Sequence, residues 1–126
     1  GSYMASSVDI DVSTDWGGAR TFFGGEGLFM LRCAGSGPLI TSSYGAIHSV
    51  VLEPGQEFII DTGHIVAFDS TMTYNVQKFG SWKSTIAGGE GLVVAFTGPG
   101  QIYLQTRSQQ SLLDWLIPLL PKERSN

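Results

Sequence analysis

The side chains of this sequence that could do chemistry are few and widely spaced. His48 and His64 are its two histidines, sixteen positions apart. A zinc or iron centre built on them would have to recruit carboxylates such as Asp61 or Asp69. That spacing is not the close spacing of a ligand pair on one strand, so structural roles are expected. Serines are numerous, yet no Ser, His and Asp constellation carries a local signature. Glu26 and Glu90 occupy matching Gly-Gly-Glu-Gly segments and invite an acid and base assignment. Equivalent positions in two units of one fold need not meet, however, unless both lie beside the axis that relates them. The same segments could cradle an anion on backbone N–H groups. They lack the Lys-Ser/Thr of a phosphate-binding loop, and a predicted strand rather than a helix follows each, so tight turns are the better reading. No catalytic, cofactor-binding or metal-binding residue is assigned, no cofactor is expected, and the chain reads as non-enzymatic.

The elements that carry these residues are short strands. Of 126 residues, 14% are charged, 42% are apolar and 17 are Gly, a balance that disfavours disorder and favours strands joined by tight turns. One hydrophobic core suffices for this length. The net charge of −4 and the seven scattered basic residues exclude a polyanion-binding patch, so no nucleic-acid partner is expected. The single cysteine, Cys33, lies in an apolar run and reads as a small hydrophobe rather than a nucleophile. No stretch approaches the roughly 20 apolar residues of a membrane-spanning helix, and no signal peptide is recognisable at the N-terminus. A cytoplasmic location, or the mitochondrial matrix for a eukaryotic source, fits these features.

Self-comparison gives the strongest signal. Gly24-Gly25-Glu26-Gly27-Leu28 recurs as Gly88-Gly89-Glu90-Gly91-Leu92, a displacement of 64 residues. The match extends to Gly35-Ser36-Gly37 against Gly98-Pro99-Gly100, displaced by 63, and to Gly1 and Ala5 against Gly63 and Ala67, displaced by 62. Val8 to Val12 align with Met72 to Val76 at 64. The expected organisation is a β-repeat domain over residues 1–108, with a full repeat at 1–62 and a truncated one at 63–108, then a helical tail at 109–126.

Alternation at Val8, Ile10 and Val12 and at Met72, Tyr74 and Val76 predicts ribbons with one dry face. The nearly continuous apolar runs Leu28 to Ala34 and Leu92 to Phe96 predict strands buried on both faces. Further strands are predicted at Leu39 to Ser43, Ala46 to Leu52, Glu57 to Ile60, Ile65 to Phe68 and Gln101 to Thr106, with Glu53-Pro54-Gly55-Gln56 as a turn between antiparallel neighbours. This pattern predicts an all-β, repeat-built sandwich or barrel of the double-stranded β-helix kind. In the tail, Leu112, Trp115, Leu116 and Leu119 recur at helical spacing, with Ser111 as the predicted cap, Asp114 in the first turn and Pro118 as the stop. Gln109 to Ile117 is the predicted helix. Its apolar residues exceed what a freely solvated end needs, so it should dock on its own sheet or on another subunit rather than on a membrane.

Taken together, Gly24 to Leu28, Ser42-Ser43-Tyr44-Gly45, Leu52 to Gln56, Asp61 to Phe68, Gly88 to Val93, Thr97 to Gly100 and Gln105-Thr106-Arg107 resemble the C-terminal portion of the altered-inheritance-of-mitochondria protein 24 family. The resemblance covers most of residues 1–107. It implies a fold similar to that of the tryptophan RNA-binding attenuation protein, built from internal repeats and often oligomeric, and it supplies no catalytic residues. Family members are typically longer, which makes the chain look like a fragment or a shortened member. Its expected role is a non-enzymatic scaffold or interaction module that self-associates through its β-repeats and the apolar tail. One alternative is a small-ligand binder using Trp16 or Trp82 near the turns. Another is a cupin-like metal-dependent enzyme using His48 and His64.

Overall fold

Runs of Val, Ile, Leu and Phe punctuated by Gly, Pro and Ser form strands close to where their periodicity predicts them. The computed structural model describes residues 2–15, 30–78 and 92–121. Its strands are β1 (Tyr3–Ser6), β2 (Ile10–Asp15), β3 (Met30–Gly35), β4 (Leu39–Thr41), β5 (Ile47–Leu52), β6 (Glu57–Asp61), β7 (Ile65–Phe68), β8 (Thr73–Lys78), β9 (Leu92–Thr97) and β10 (Gly100–Gln105). A 3₁₀ turn at Thr62–His64 joins β6 to β7, and helix α1 (Gln109–Leu116) is followed by a second 3₁₀ turn at Ile117–Leu119.

All pairings among the described strands are antiparallel. They fall into four sheets: β1 with β4, β2 with β3, β10 between β5 and β7, and β9 between β6 and β8. The fold is therefore all-β and sandwich-like, with one short C-terminal helix. The barrel alternative is corrected: each of the four sheets ends in edge strands, and among the described residues none pairs round on itself as closure requires. The Gly-Gly-Glu-Gly segments, with Glu26 and Glu90, and the two tryptophans Trp16 and Trp82 lie outside the described residues.

The pairings recur along the chain. Ala5 stands opposite Ile40 and Tyr3 opposite Thr41, with a register irregularity between them. Ala67 stands opposite Tyr103 and Ile65 opposite Leu104, again with an irregularity between them. The displacements are 62 on the first strand (5 to 67, 3 to 65) and 63 on the second (40 to 103, 41 to 104). Backbone hydrogen bonds repeat in step. Ser7 N donates to Pro38 O and Asp69 N to Gln101 O, both at 3.0 Å, while Ile10 N donates to Ser7 O at 3.1 Å and Met72 N to Asp69 O at 3.2 Å. These bonds set Ile10 against Met72 rather than against Tyr74, two residues from the alignment at 64. A shift of two preserves strand alternation, so hydropathy does not distinguish the alternatives.

The core gathers on β9 and β10. Val94, Phe96 and Ile102 are fully buried, and Leu52, Met72 and Leu104 nearly so. Val50 and Leu52 from β5 and Phe58 and Ile60 from β6 pack against them; β5 pairs with β10 and β6 with β9, in separate sheets and not with each other. The turn between β5 and β6 has the predicted chemistry, but it joins strands of different sheets rather than paired antiparallel neighbours. Gln56 N donates to Glu53 O at 3.0 Å, Glu53 N donates to the Gln56 side-chain oxygen at 3.0 Å, and Gly55 takes φ +79°, a conformation that glycine adopts without steric cost. The rings of Phe68, Tyr74 and Phe96 cluster with centroids 4.8–6.4 Å apart, in the tilted and edge-on arrangements that aromatic quadrupoles favour.

The first half of the chain is packed differently. β3, predicted to be buried on both faces, contains no buried residue, whereas the similarly apolar β9 is largely enclosed. The reason lies in the neighbours. β9 and β10 each have a partner on both sides, while β3 pairs only with β2 and β4 only with β1 among the described residues.

Candidate functional site

Three of the side chains singled out for chemistry, His64, Asp61 and Asp69, hydrogen-bond to backbone groups. His64, in the 3₁₀ turn, donates from Nδ1 to the Gln105 carbonyl at 2.8 Å. His48 is exposed on β5, where it stands opposite Leu104, and Leu104 stands opposite Ile65 on its other side. β10 thus lies between the two histidine-bearing segments, a separation of two strand spacings, about 10 Å. The carboxylates nearest in sequence are also engaged. Asp61 Oδ1 accepts from Gly63 N at 2.8 Å, capping the 3₁₀ turn, and Asp69 Oδ2 accepts from Gln101 N at 2.8 Å. No group of three His, Cys, Asp or Glu side chains able to hold a metal occurs among the described residues.

Gln105 is the clamp at this end of the sheet. Its side-chain oxygen accepts from Tyr44 N at 2.9 Å and its amide nitrogen donates to Gly63 O at 2.7 Å. Together with the His64 contact, these bonds fasten the loop before β5, the 3₁₀ turn and β10 to one another. The two halves of the chain are also tied directly: Ser2 Oγ donates to Val66 O at 2.6 Å.

An open groove of about 1470 Å³ lies between these parts. Leu31 and Cys33 of β3 and Leu39 and Thr41 of β4 line one side; Val66, Phe68 and Met72 lie across it. Leu113 and Asp114 of α1 reach its margin. The lining is mixed, with Arg32, Asp61, His64, Asp69 and Asp114 beside the apolar side chains. Periodicity identified these strands but carried no sign of the groove, because the uncovered face depends on which strands pair rather than on β3 and β4 themselves.

The tail forms the predicted helix from Gln109, ending at Leu116, with a different cap. Ser108 is the cap: its Oγ accepts from Ser111 N at 3.2 Å and shares a 2.8 Å hydrogen bond with Ser111 Oγ. Ser111 is therefore inside the first turn, and Asp114 lies beyond it. The cap was read three residues late because Gln109 and Gln110 carry no apolar signal to mark the first turn. Pro118 falls in the 3₁₀ turn that succeeds the helix. Leu112, Leu113, Trp115, Leu116, Ile117, Leu119 and Leu120 are all exposed to solvent.

This arrangement matches known proteins over nearly its full length. The family model described as mitochondrial biogenesis AIM24 covers residues 1–107. The chain belongs to the AIM24 family. An uncharacterised protein of Streptococcus pyogenes serotype M6 is 32% identical over 103 residues, which is 81% of this chain and 41% of the relative. The crystal structure of another S. pyogenes protein superposes with a TM-score of 0.80 at 28% identity, covering 94% of this chain and 52% of that one. This AIM24 chain therefore spans about half the length of the relatives it matches. No helix among its described residues is long and apolar enough to cross a membrane.

Proposed function

We propose that this member of the AIM24 family is a non-enzymatic scaffold module, built from one complete and one truncated β-repeat, that self-associates through exposed apolar surface. The observation that carries the reading is the tail: Trp115 is 64% and Leu119 65% exposed on a short segment where neighbouring leucines and Ile117 are also exposed. Apolar side chains clustered in this way mark contact surfaces in soluble proteins. Ile47 and Val51, four residues apart and so on one face of β5, add further exposed apolar surface. The recurrence of strand pairings, register irregularities and turn hydrogen bonds at displacements of 62 and 63 supports the repeat. The engagement of Asp61, Asp69 and His64 by backbone groups supports the absence of a metal-dependent activity. The cytoplasm of a bacterium or the mitochondrion of a eukaryote is the compartment that fits, given bacterial relatives and the description of the family.

Removal of residues 109–126 tests this reading. The truncated chain is expected to have a smaller mass by multi-angle light scattering than the intact chain at the same concentration. An identical mass for both chains removes the tail from the proposal. A small-molecule site is less well supported, because ligand pockets typically enclose about 300–1,000 Å³, whereas the groove is larger and open.

A further inference from the structure

The two three-stranded sheets turn different faces outward. Val50 and Leu52 of β5 and Ile102 and Leu104 of β10 pack in the core, so the odd-numbered residues of both strands point away from it, as strand alternation requires. The outward set is Ile47, Ser49 and Val51 with Gln101, Tyr103 and Gln105, which stand opposite one another in register. It holds no charged residue. Val51 is 68%, Ile47 50% and Tyr103 37% exposed. In the other sheet Phe58 and Ile60 of β6 pack inward, which turns Glu57, Ile59 and Asp61 outward. There the one large apolar side chain of β6 sits between two carboxylates.

A charge-free face matters for a chain of net charge −4. Two copies that meet through acidic surface repel, whereas a contact on this face brings no carboxylates together. Its area decides what else takes part. Strands of six residues span about 20 Å and three strands about 14 Å, roughly 300 Å² of sheet. A stable interface buries about 800 Å² per partner, so a further surface must contribute. The tail has the size and the chemistry. Eight residues of α1 and three of the following 3₁₀ turn extend about 18 Å, close to the length of the sheet face, and Leu112, Trp115 and Leu116 are exposed along them. Within one chain the tail and the face do not cover each other, since both stay exposed; Leu113 borders the groove instead.

We propose that the tail of one copy packs across the outward face of β5 and β10 of a second copy, and that the second tail does the same in return, closing a two-fold dimer. This rests on the self-association reading and names the surface that receives the tail. A helix laid on a sheet buries the apolar side of each, and the two-fold arrangement makes the contact twice within one closed pair. The groove is the poorer seat. Arg32, Asp61 and Asp69 on its lining would lose water to Leu112, Trp115 and Leu116, which offer no charge in exchange.

Light scattering on single-residue variants tests this. V51D on the face and W115D on the tail change exposed side chains, so the circular dichroism of each is expected to match that of the intact chain. I47D is a second variant of the face and should behave as V51D does. At a concentration where the intact chain shows twice the mass of one chain, each variant alone is expected at the mass of one chain, its association weakened at least tenfold. A 1:1 mixture of V51D and W115D should recover association, because the intact tail of the first meets the intact face of the second. A mixture that stays at the mass of one chain overturns the proposal, as tails that pair with tails and faces that pair with faces give that result. Undiminished mass for both V51D and I47D also overturns it; if tail removal still lowers the mass, the face falls and the self-associating scaffold stands. An intact chain with the mass of one chain at every concentration overturns both.

Discussion

The same type of side chain has different energetic weight in the two halves of this chain. Ile102 and Leu39 are branched aliphatic residues at matching places on β10 and β4, yet Ile102 is fully buried and Leu39 is substantially exposed. Hydrophobic stabilisation follows the area removed from water, and truncation in a closed core adds the cost of the cavity left behind. Ile102→Ala should therefore lower unfolding free energy by about 2–5 kcal/mol, and Leu39→Ala by less than about 1 kcal/mol. Urea denaturation with unchanged slope reads both values. Equal losses would mean that Leu39 is covered in solution. Ser108 poses a separate test at this scale. Its hydroxyl accepts the Ser111 N–H at the start of α1, and replacement of a serine cap by alanine costs about 1 kcal/mol, whereas glycine costs only a few tenths. Ser108→Ala should lower helical ellipticity at 222 nm by fraying α1, and Ser108→Gly should retain most of it.

At the scale of elements, strands were legible because their evidence is local. Alternation at Met72, Tyr74 and Val76 and the run Leu92 to Phe96 are properties of consecutive residues, and β8 and β9 lie where they indicate. The Pro54-Gly55 turn was legible for the same reason. Three features were not. The cap at Ser108 is masked by two polar glutamines inside the helix. The equivalence of Ile10 with Met72 depends on hydrogen bonds that a two-residue shift along a strand does not disturb in the hydropathy pattern. The exposure of β3 depends on the absence of a neighbouring strand among the described residues, while its own sequence reads as a core strand much as β9 does. Of the candidate site residues, the wide spacing of His48 and His64 indicated their separation, and β10 between them is its physical form. The groove had no sequence signal, since Leu31 and Leu39 belong to apolar runs of the kind that usually ends up inside.

For the whole molecule, these differences predict an uneven distribution of stability. The second half has two three-stranded sheets sharing the enclosed cluster of Leu52, Met72, Val94, Phe96, Ile102 and Leu104. The first has two-stranded pairs, β1 with β4 and β2 with β3, whose apolar side chains remain partly solvated. Two-stranded ribbons are marginal by themselves, and regions with few buried contacts open at lower free energy than the global transition. Ser2 bonds Val66, and Tyr44 after β4 bonds Gln105 and Arg107, few ties beside the continuous pairing within the two three-stranded sheets. Native-state hydrogen exchange of the 126-residue chain should therefore resolve two levels. Amides that bond β9 and β10 to their neighbours should exchange only through global unfolding, and those that bond β2 to β3 and β1 to β4 roughly 100-fold faster, a gap of about 2.7 kcal/mol at about 1.4 kcal/mol per factor of ten. A single protection level across both halves would show instead that the open edges are covered in solution, and the concentration dependence of that level would separate a second copy from an intramolecular contact.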